Sequence, residues 1–172
     1  RVSSGEFIYI KLKKVVLNLV TKIVLDKVTL NVGVGGEGEP LENALALLER
    51  ITGQKPAKTK ARSRNPTFNI RKGDFIGTKV TLRGAKAKEV LSRAVESIDS
   101  ALKETSFDAN GNLSFGIKEY IDFPGMKYDP KIGMMGFDVS VTLVKPGVRV
   151  ARRRIASRRL SRKQRVSKEE AQ

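Results

Sequence analysis

The sequence predicts an α+β fold: a mixed, mostly antiparallel sheet with helices packed on one face, plus a basic C-terminal extension. Three observations predict it. Several short segments alternate apolar and polar residues, which is the period of a half-buried strand. Two segments repeat apolar residues at helical spacing. The segments follow the order strand, helix, strands, helix, strands, without the regular alternation of a parallel sheet.

The elements follow along the chain. Residues 1–26 mix both periods at Phe7, Ile8, Ile10, Leu12, Val15, Val16 and Leu19, and form a poorly matched leader. The chain begins at Arg1 rather than Met, so its true start can lie upstream. Lys27 to Val34 reads as a buried strand, with Val28, Leu30 and Val32 alternating with Thr29 and Asn31. After a glycine loop, Pro40 opens a helix with a stripe at Leu41, Ala44, Leu45, Leu48 and Ile51, and Gly53 stops it. A basic stretch with Pro56 and Pro66 reads as a long loop or irregular hairpin, with a short strand at Phe68 and Ile70. Phe75 to Gly84 reads as a strand, Val80 and Leu82 on one side, Lys79, Thr81 and Arg83 on the other. A second helix carries Ala87, Val90, Leu91, Ala94, Val95, Ile98, Ala101 and Leu102 in one stripe. Asp108 to Gly111 is a turn. Leu113, Phe115 and Ile117 alternate as a strand, 122–136 is a Gly- and Pro-rich loop, and Phe137, Val139, Val141 and Leu143 form the last strand beside 113–117. The expected division is a globular α/β domain over 27–146 and a basic extension over 147–172, where Ser167 to Glu170 has the form of a capping box.

Composition narrows the function. The 172 residues include 34 Lys+Arg against 18 Asp+Glu, a net charge of +16. There is no Cys and no His, which excludes thiol and imidazole catalysis, Cys/His zinc sites and disulfides. The apolar stretch from Val15 to Leu25 is interrupted by Asn18 and Lys22, too short and polar for a membrane span, and a cytosolic protein is expected. Charge is unevenly spread. Residues 55–72 carry seven basic residues and 145–166 carry ten, neither with an acid. The remaining 17 basic residues sit among all 18 acidic ones, leaving a body of net charge −1. Two acid-free tracts on a neutral body suit a polyanion better than a merely solvated face does. Together they favour Arg, which grips phosphate with two donors and stacks on bases. Ala151, Ile155, Ala156 and Leu160 give only a thin apolar stripe, so the second tract fits a membrane surface less well.

No active site emerges. Gly33-Val-Gly-Gly-Glu-Gly38 fits the dinucleotide-binding spacing, but Glu37 and Glu39 would repel a pyrophosphate and no acidic ribose ligand follows. Those glycines serve better as a strand-to-helix turn. Asp122 and Asp129 flank a loop without a calcium-binding pattern, Asp74 and Asp138 read as edge or turn residues, and Lys86 lacks the rest of a phosphate loop. No catalytic residue, metal or cofactor is expected. Among the aromatics interleaved with charge (Phe68, Phe75, Phe115, Tyr120, Tyr128), core packing is the reading for Phe115, as for Phe137. An open polar sheet face suits RNA, and no helix-turn-helix or zinc finger for duplex DNA is present.

Four blocks carry a family resemblance: KVTLNVGVGG at 27–36, ITGQKPAKTKAR at 51–62, IRKGDFIGTKVTLRG at 70–84 and SFDANGNLSFGIKEYIDFPGMKYDP at 106–130. They resemble the 5S-rRNA-binding ribosomal proteins of the L-five family, and GFDVSVTLVKPGVRVARRR at 136–154 is similar to the archaeal form, related to the eukaryotic L-eleven-e branch. The blocks run in family order over about residues 22–170, while residues 1–21 depart from the family's leader. The resemblance implies a cytoplasmic, ribosome-bound structural protein. It would bind 5S rRNA and large-subunit rRNA in the central protuberance, reach P-site tRNA by a loop, and touch neighbouring ribosomal proteins. It implies 5S contacts at Asn31, Gln54 and Thr81, beside which the polar strand face puts Lys79 and Arg83. The rRNA- or tRNA-facing loop would use Lys55, Lys58, Lys60, Arg62, Arg64, Arg71 and Lys72. The tail would use Arg149, Arg152, Arg153, Arg154, Arg158 and Arg159 on rRNA. No membrane and no small-molecule substrate is expected.

Overall fold

The computed structural model describes residues 23–98, 102–160 and 165–171. Its centre is a five-stranded sheet in the order β2-β3-β1-β5-β4. The strands are β1 (Val24–Gly33), β2 (Ala57–Lys60), β3 (Phe75–Leu82), β4 (Leu113–Ile117) and β5 (Phe137–Val144). The expected α+β class holds, and among the described residues every strand pairing is antiparallel. β1 is central because its alternation buries one face completely: Val28, Leu30 and Val32 lie under the helices.

Both long helices pack on that face. α1 (Glu39–Thr52) begins with Pro40 in its first turn, with Glu39 and Glu42 favourably placed at the positive end of its dipole. It ends where Gly53 turns left-handed (φ 61°) and its N–H reaches Glu49 O at 2.7 Å. Its buried stripe is Leu41, Ala44, Leu47, Leu48 and Ile51; Leu45, expected in the stripe, is only half-buried and Leu47 takes that place. The helix lies against β3, which selects Leu47 over its neighbour two positions back. α2 (Gly84–Glu96) packs Ala87, Val90 and Ala94 toward β1. It stops before the expected end: Leu102 is buried but lies outside the helix, and Ala101 lies outside the described residues. The expected leader over 1–26 likewise lies mostly outside them.

Segment 118–136 is more than a connecting loop. A single 3-10 turn (Tyr120–Asp122) sends Tyr120 and Phe123 into the core, where Phe123 meets Phe137 edge to face at 5.9 Å between centroids. The Tyr120 hydroxyl accepts a hydrogen bond from the Asp129 N–H at 2.8 Å. Asp129 also binds Arg50 of α1 at 2.7 Å, so the segment is stapled to the helix layer. Its carboxyl pKa is lowered, first by the Lys131 N–H and then by Arg50. Tyr120, one of the aromatics interleaved with charge, is therefore a core residue, its side chain wholly buried.

After β5 the chain makes a short helical turn, α3 (Arg149–Arg152), and Arg152 pairs with Asp26 at 2.9 Å, beside the bulge in β1. It returns at α4 (Lys168–Ala171). Val166 and Ala171 are buried in the same core as the sheet residues. The expected capping box is present in both directions: the Glu170 N–H donates to Ser167 Oγ at 3.3 Å, and the Ser167 N–H donates to Glu170 Oε2 at 3.1 Å.

Candidate nucleic-acid interface

Among the described residues, no element covers the face of the sheet away from the helices. Alternation puts Lys27, Thr29 and Asn31 of β1 there, with Lys79 and Thr81 of β3, Ser114 and Gly116 of β4, and Asp138, Ser140 and Thr142 of β5. The registers gather them into rows across the strands. One row runs Ala57, Lys79, Asn31, Asp138, Gly116, and the next runs Thr81, Thr29, Ser140, Ser114. Ser114 and Ser140 share a hydrogen bond of 3.1 Å between their hydroxyls. The result is a shallow surface of hydroxyl and amide groups, with cations at Lys27, Lys79 and Arg83 and one carboxylate, Asp138. Such groups can both donate and accept, which suits ribose 2′-hydroxyls and base edges.

Asn31 stands half-buried in the central strand, flanked by Lys79 and Asp138. Thr81 is exposed one row away, with Arg83 just beyond the strand end. Gln54 is anchored by Thr52: its N–H donates to Thr52 Oγ1 at 3.2 Å. It lies three residues before Ala57, which pairs with Lys79, so Gln54 and Lys55 approach the same end of the sheet. Thr29, Ser114 and Ser140 were not singled out from the sequence, although the same alternation marks them.

The first basic tract is a structured hairpin. β2 pairs with β3, and Lys58 and Lys60 place their ammonium groups over the Phe75 ring at 5.7 and 5.1 Å. Those two belong to an edge strand; Arg62, Arg64, Arg71 and Lys72 surround the far end and are exposed. The short strand expected at Phe68 and Ile70 is not formed. Pro66–Phe68 is a 3-10 turn, Asn69 is left-handed (φ 53°), and Ile70 makes only an isolated bridge to Asn65. Proline at the start of the turn and asparagine at its end favour this over extension.

In the second tract, Arg149, Arg152, Arg153, Arg154, Arg158 and Arg159 are all exposed. Arg153 Nε donates to Ala156 O at 2.9 Å and the Arg158 N–H to Val150 O at 3.2 Å, folding the segment on itself. Arg152 is occupied by Asp26.

The glycine loop fails as a dinucleotide site. β1 has antiparallel neighbours, so no parallel strand–helix–strand unit surrounds it. The adjoining cleft of about 390 Å³ is walled by Glu37, Asp74, Arg71 and Asn69. Glu37 itself accepts the Phe75 N–H at 3.2 Å. Among the described residues no group of three or more Asp and Glu can hold a metal, and no helix is long and apolar enough to cross a membrane.

Comparison with known proteins agrees in extent with this architecture. Residues 18–71 match the family model of ribosomal protein L5, and residues 75–170 match the model of that ribosomal family's C-terminus. Large ribosomal subunit protein uL5 of Methanobrevibacter smithii is 49% identical over 154 residues, covering 90% of this chain and 91% of the relative. The uL5 of Sulfurisphaera tokodaii is 49% identical over 156 residues, with 90% and 88% covered. That of Methanoculleus marisnigri is 50% identical over 149 residues, with 87% and 89% covered.

Proposed function

The chain belongs to the ribosomal protein L5 family and is a structural ribosomal protein, not an enzyme; from that premise we propose that it binds 5S rRNA on the open sheet face. In this reading it helps attach 5S rRNA to the large rRNA in the central protuberance. It works in the cytoplasm, bound to the large subunit and beside other ribosomal proteins. Asn31, Gln54, Thr81, Lys79 and Arg83 hold 5S rRNA. The hairpin cations Lys55, Lys58, Lys60, Arg62, Arg64, Arg71 and Lys72 serve rRNA and P-site tRNA, and the arginines at 149–159 serve rRNA.

The observation that carries the reading is the pair of hydroxyl and amide rows around Asn31 and Thr81. They lie on a body whose charge is close to neutral, so selectivity there must come from fitted hydrogen bonds rather than from charge. The basic hairpin and tail supply phosphate contacts, which give affinity without sequence information.

The two contributions separate by salt. In a titration of binding against ionic strength, Asn31→Ala with Thr81→Val should weaken 5S rRNA binding by about ten-fold. The slope of log affinity on log salt should stay as in the parent, because no counterion release is lost. Arg62→Ala should instead reduce that slope by about one. Equal affinity of the parent for 5S rRNA and an unrelated structured RNA would overturn the proposal and leave a general RNA chaperone.

A further inference from the structure

The hairpin tip holds an aromatic ring that no described part of the chain covers. Phe68 is 69% exposed, whereas Phe123 and Phe137 are buried against each other.

The turn beneath it is well fixed. The Asn65 side chain accepts the Thr67 N–H at 3.2 Å. Asn65 and Ile70 exchange backbone hydrogen bonds of 2.9 and 3.0 Å, and the Asn69 N–H closes on Pro66 O at 3.1 Å. Asp74 accepts the Arg71 N–H at 2.8 Å, holding the return strand. Further in, the Ala61 N–H donates to Asp74 O at 2.8 Å. The ring is thus held out on a braced support, with a rim of exposed cations along the two arms of the hairpin below it, Arg62 and Arg64 on one and Arg71 and Lys72 on the other.

An apolar flat face above a cationic rim matches one chemistry closely: a nucleobase with a free face, next to its phosphates. Resting on the reading that the hairpin contacts RNA, we propose that Phe68 stacks on an unpaired RNA base while the rim cations hold the flanking phosphates. Paired bases inside a duplex offer no such face, so the hairpin should distinguish looped RNA from continuous duplex.

Phe68 lies outside the core, so its variants keep the fold. The test uses the full chain, a hairpin RNA with an open loop, and a blunt duplex with the same number of phosphates. Phe68→Leu should lose about ten-fold in affinity for the looped RNA and nothing for the duplex. The sequence has no Trp, so Phe68→Trp supplies a single tryptophan, excited at longer wavelength than the three tyrosines and so apart from them. Its fluorescence should be quenched by saturating looped RNA and not by the duplex. Unchanged looped-RNA affinity in Phe68→Leu, with steady emission from Phe68→Trp, would overturn stacking. If Arg62→Ala with Arg64→Ala still weakens binding in that case, the hairpin reading survives and only the stacking fails. If neither set of variants weakens it, the hairpin reading fails too. Emission that shifts only on adding large-subunit proteins would assign the ring to a protein pocket and also overturn stacking.

Discussion

Gly77 leaves no room for a side chain. A Cβ there would lie 2.4 Å from Val32 O, backbone of the neighbouring central strand. Gly77→Ala should therefore push β1 and β3 apart and cost about 1–3 kcal/mol, read as a lowered urea midpoint. Gly116→Ala is the matched control: its nearest neighbour is the Asp138 side chain at 3.2 Å, which can rotate away. A change there within about 0.5 kcal/mol is expected. At this scale the sequence showed parity well. Alternation alone put Asn31 and Thr81 on the solvent side, and Val80 and Leu82 on the core side. Aromatics were harder. Tyr120 and Tyr128 both sit among charges and prolines, yet one is buried and the other half-exposed. Tyr120 joins the sheet–helix core and its hydroxyl takes the Asp129 N–H, contacts that no local pattern encodes.

Elements with a strong period were legible, and those held by contacts alone were not. The α1 stripe was visible, and Leu48→Ala in it should cost about 2–5 kcal/mol in the same urea experiment. β2 was hidden because an edge strand of Ala57, Lys58, Thr59 and Lys60 has no buried face to betray it. Segment 118–136 was hidden because its apolar residues have no period. α4 is the opposite case: it is four residues long, yet its capping box could be read directly. Glu170 is held there by Lys145 at 2.6 Å and by the Ser167 N–H, and these lower its pKa, Lys145 contributing most. A carboxyl with a lowered folded pKa stabilises the turn above its unfolded value of about 4.5, and the effect is lost as pH falls through the folded value. Amide protection in 167–171, taken relative to the intrinsic exchange rate at each pH, should thus fall from pH 5 toward pH 3, and Glu170→Gln should remove most of that dependence.

At the scale of the whole molecule, the basic segment after β5 is tied down on both sides. Arg152 meets Asp26 before it, and Val166 and Ala171 enter the core after it. Ending the chain at residue 146 should lower stability by at least about 2 kcal/mol through lost burial alone, measurable by urea unfolding. The fold class was legible because the strand and helix periods are each distinct and their order is not the regular alternation of a parallel sheet. The strand order was not, because which strands pair is decided by long-range contacts. That order has a consequence for the newborn chain. β1 needs β5 on one side, and β5 emerges roughly 5–20 s after β1 at ordinary rates of synthesis. Throughout that interval one edge of Val28-Thr-Leu-Asn-Val32 has no mate and offers itself to any passing strand. The first basic tract appears within the same interval. Two half-made chains would then meet with the like charges of 55–72 foremost, and that repulsion would oppose pairing of their open edges.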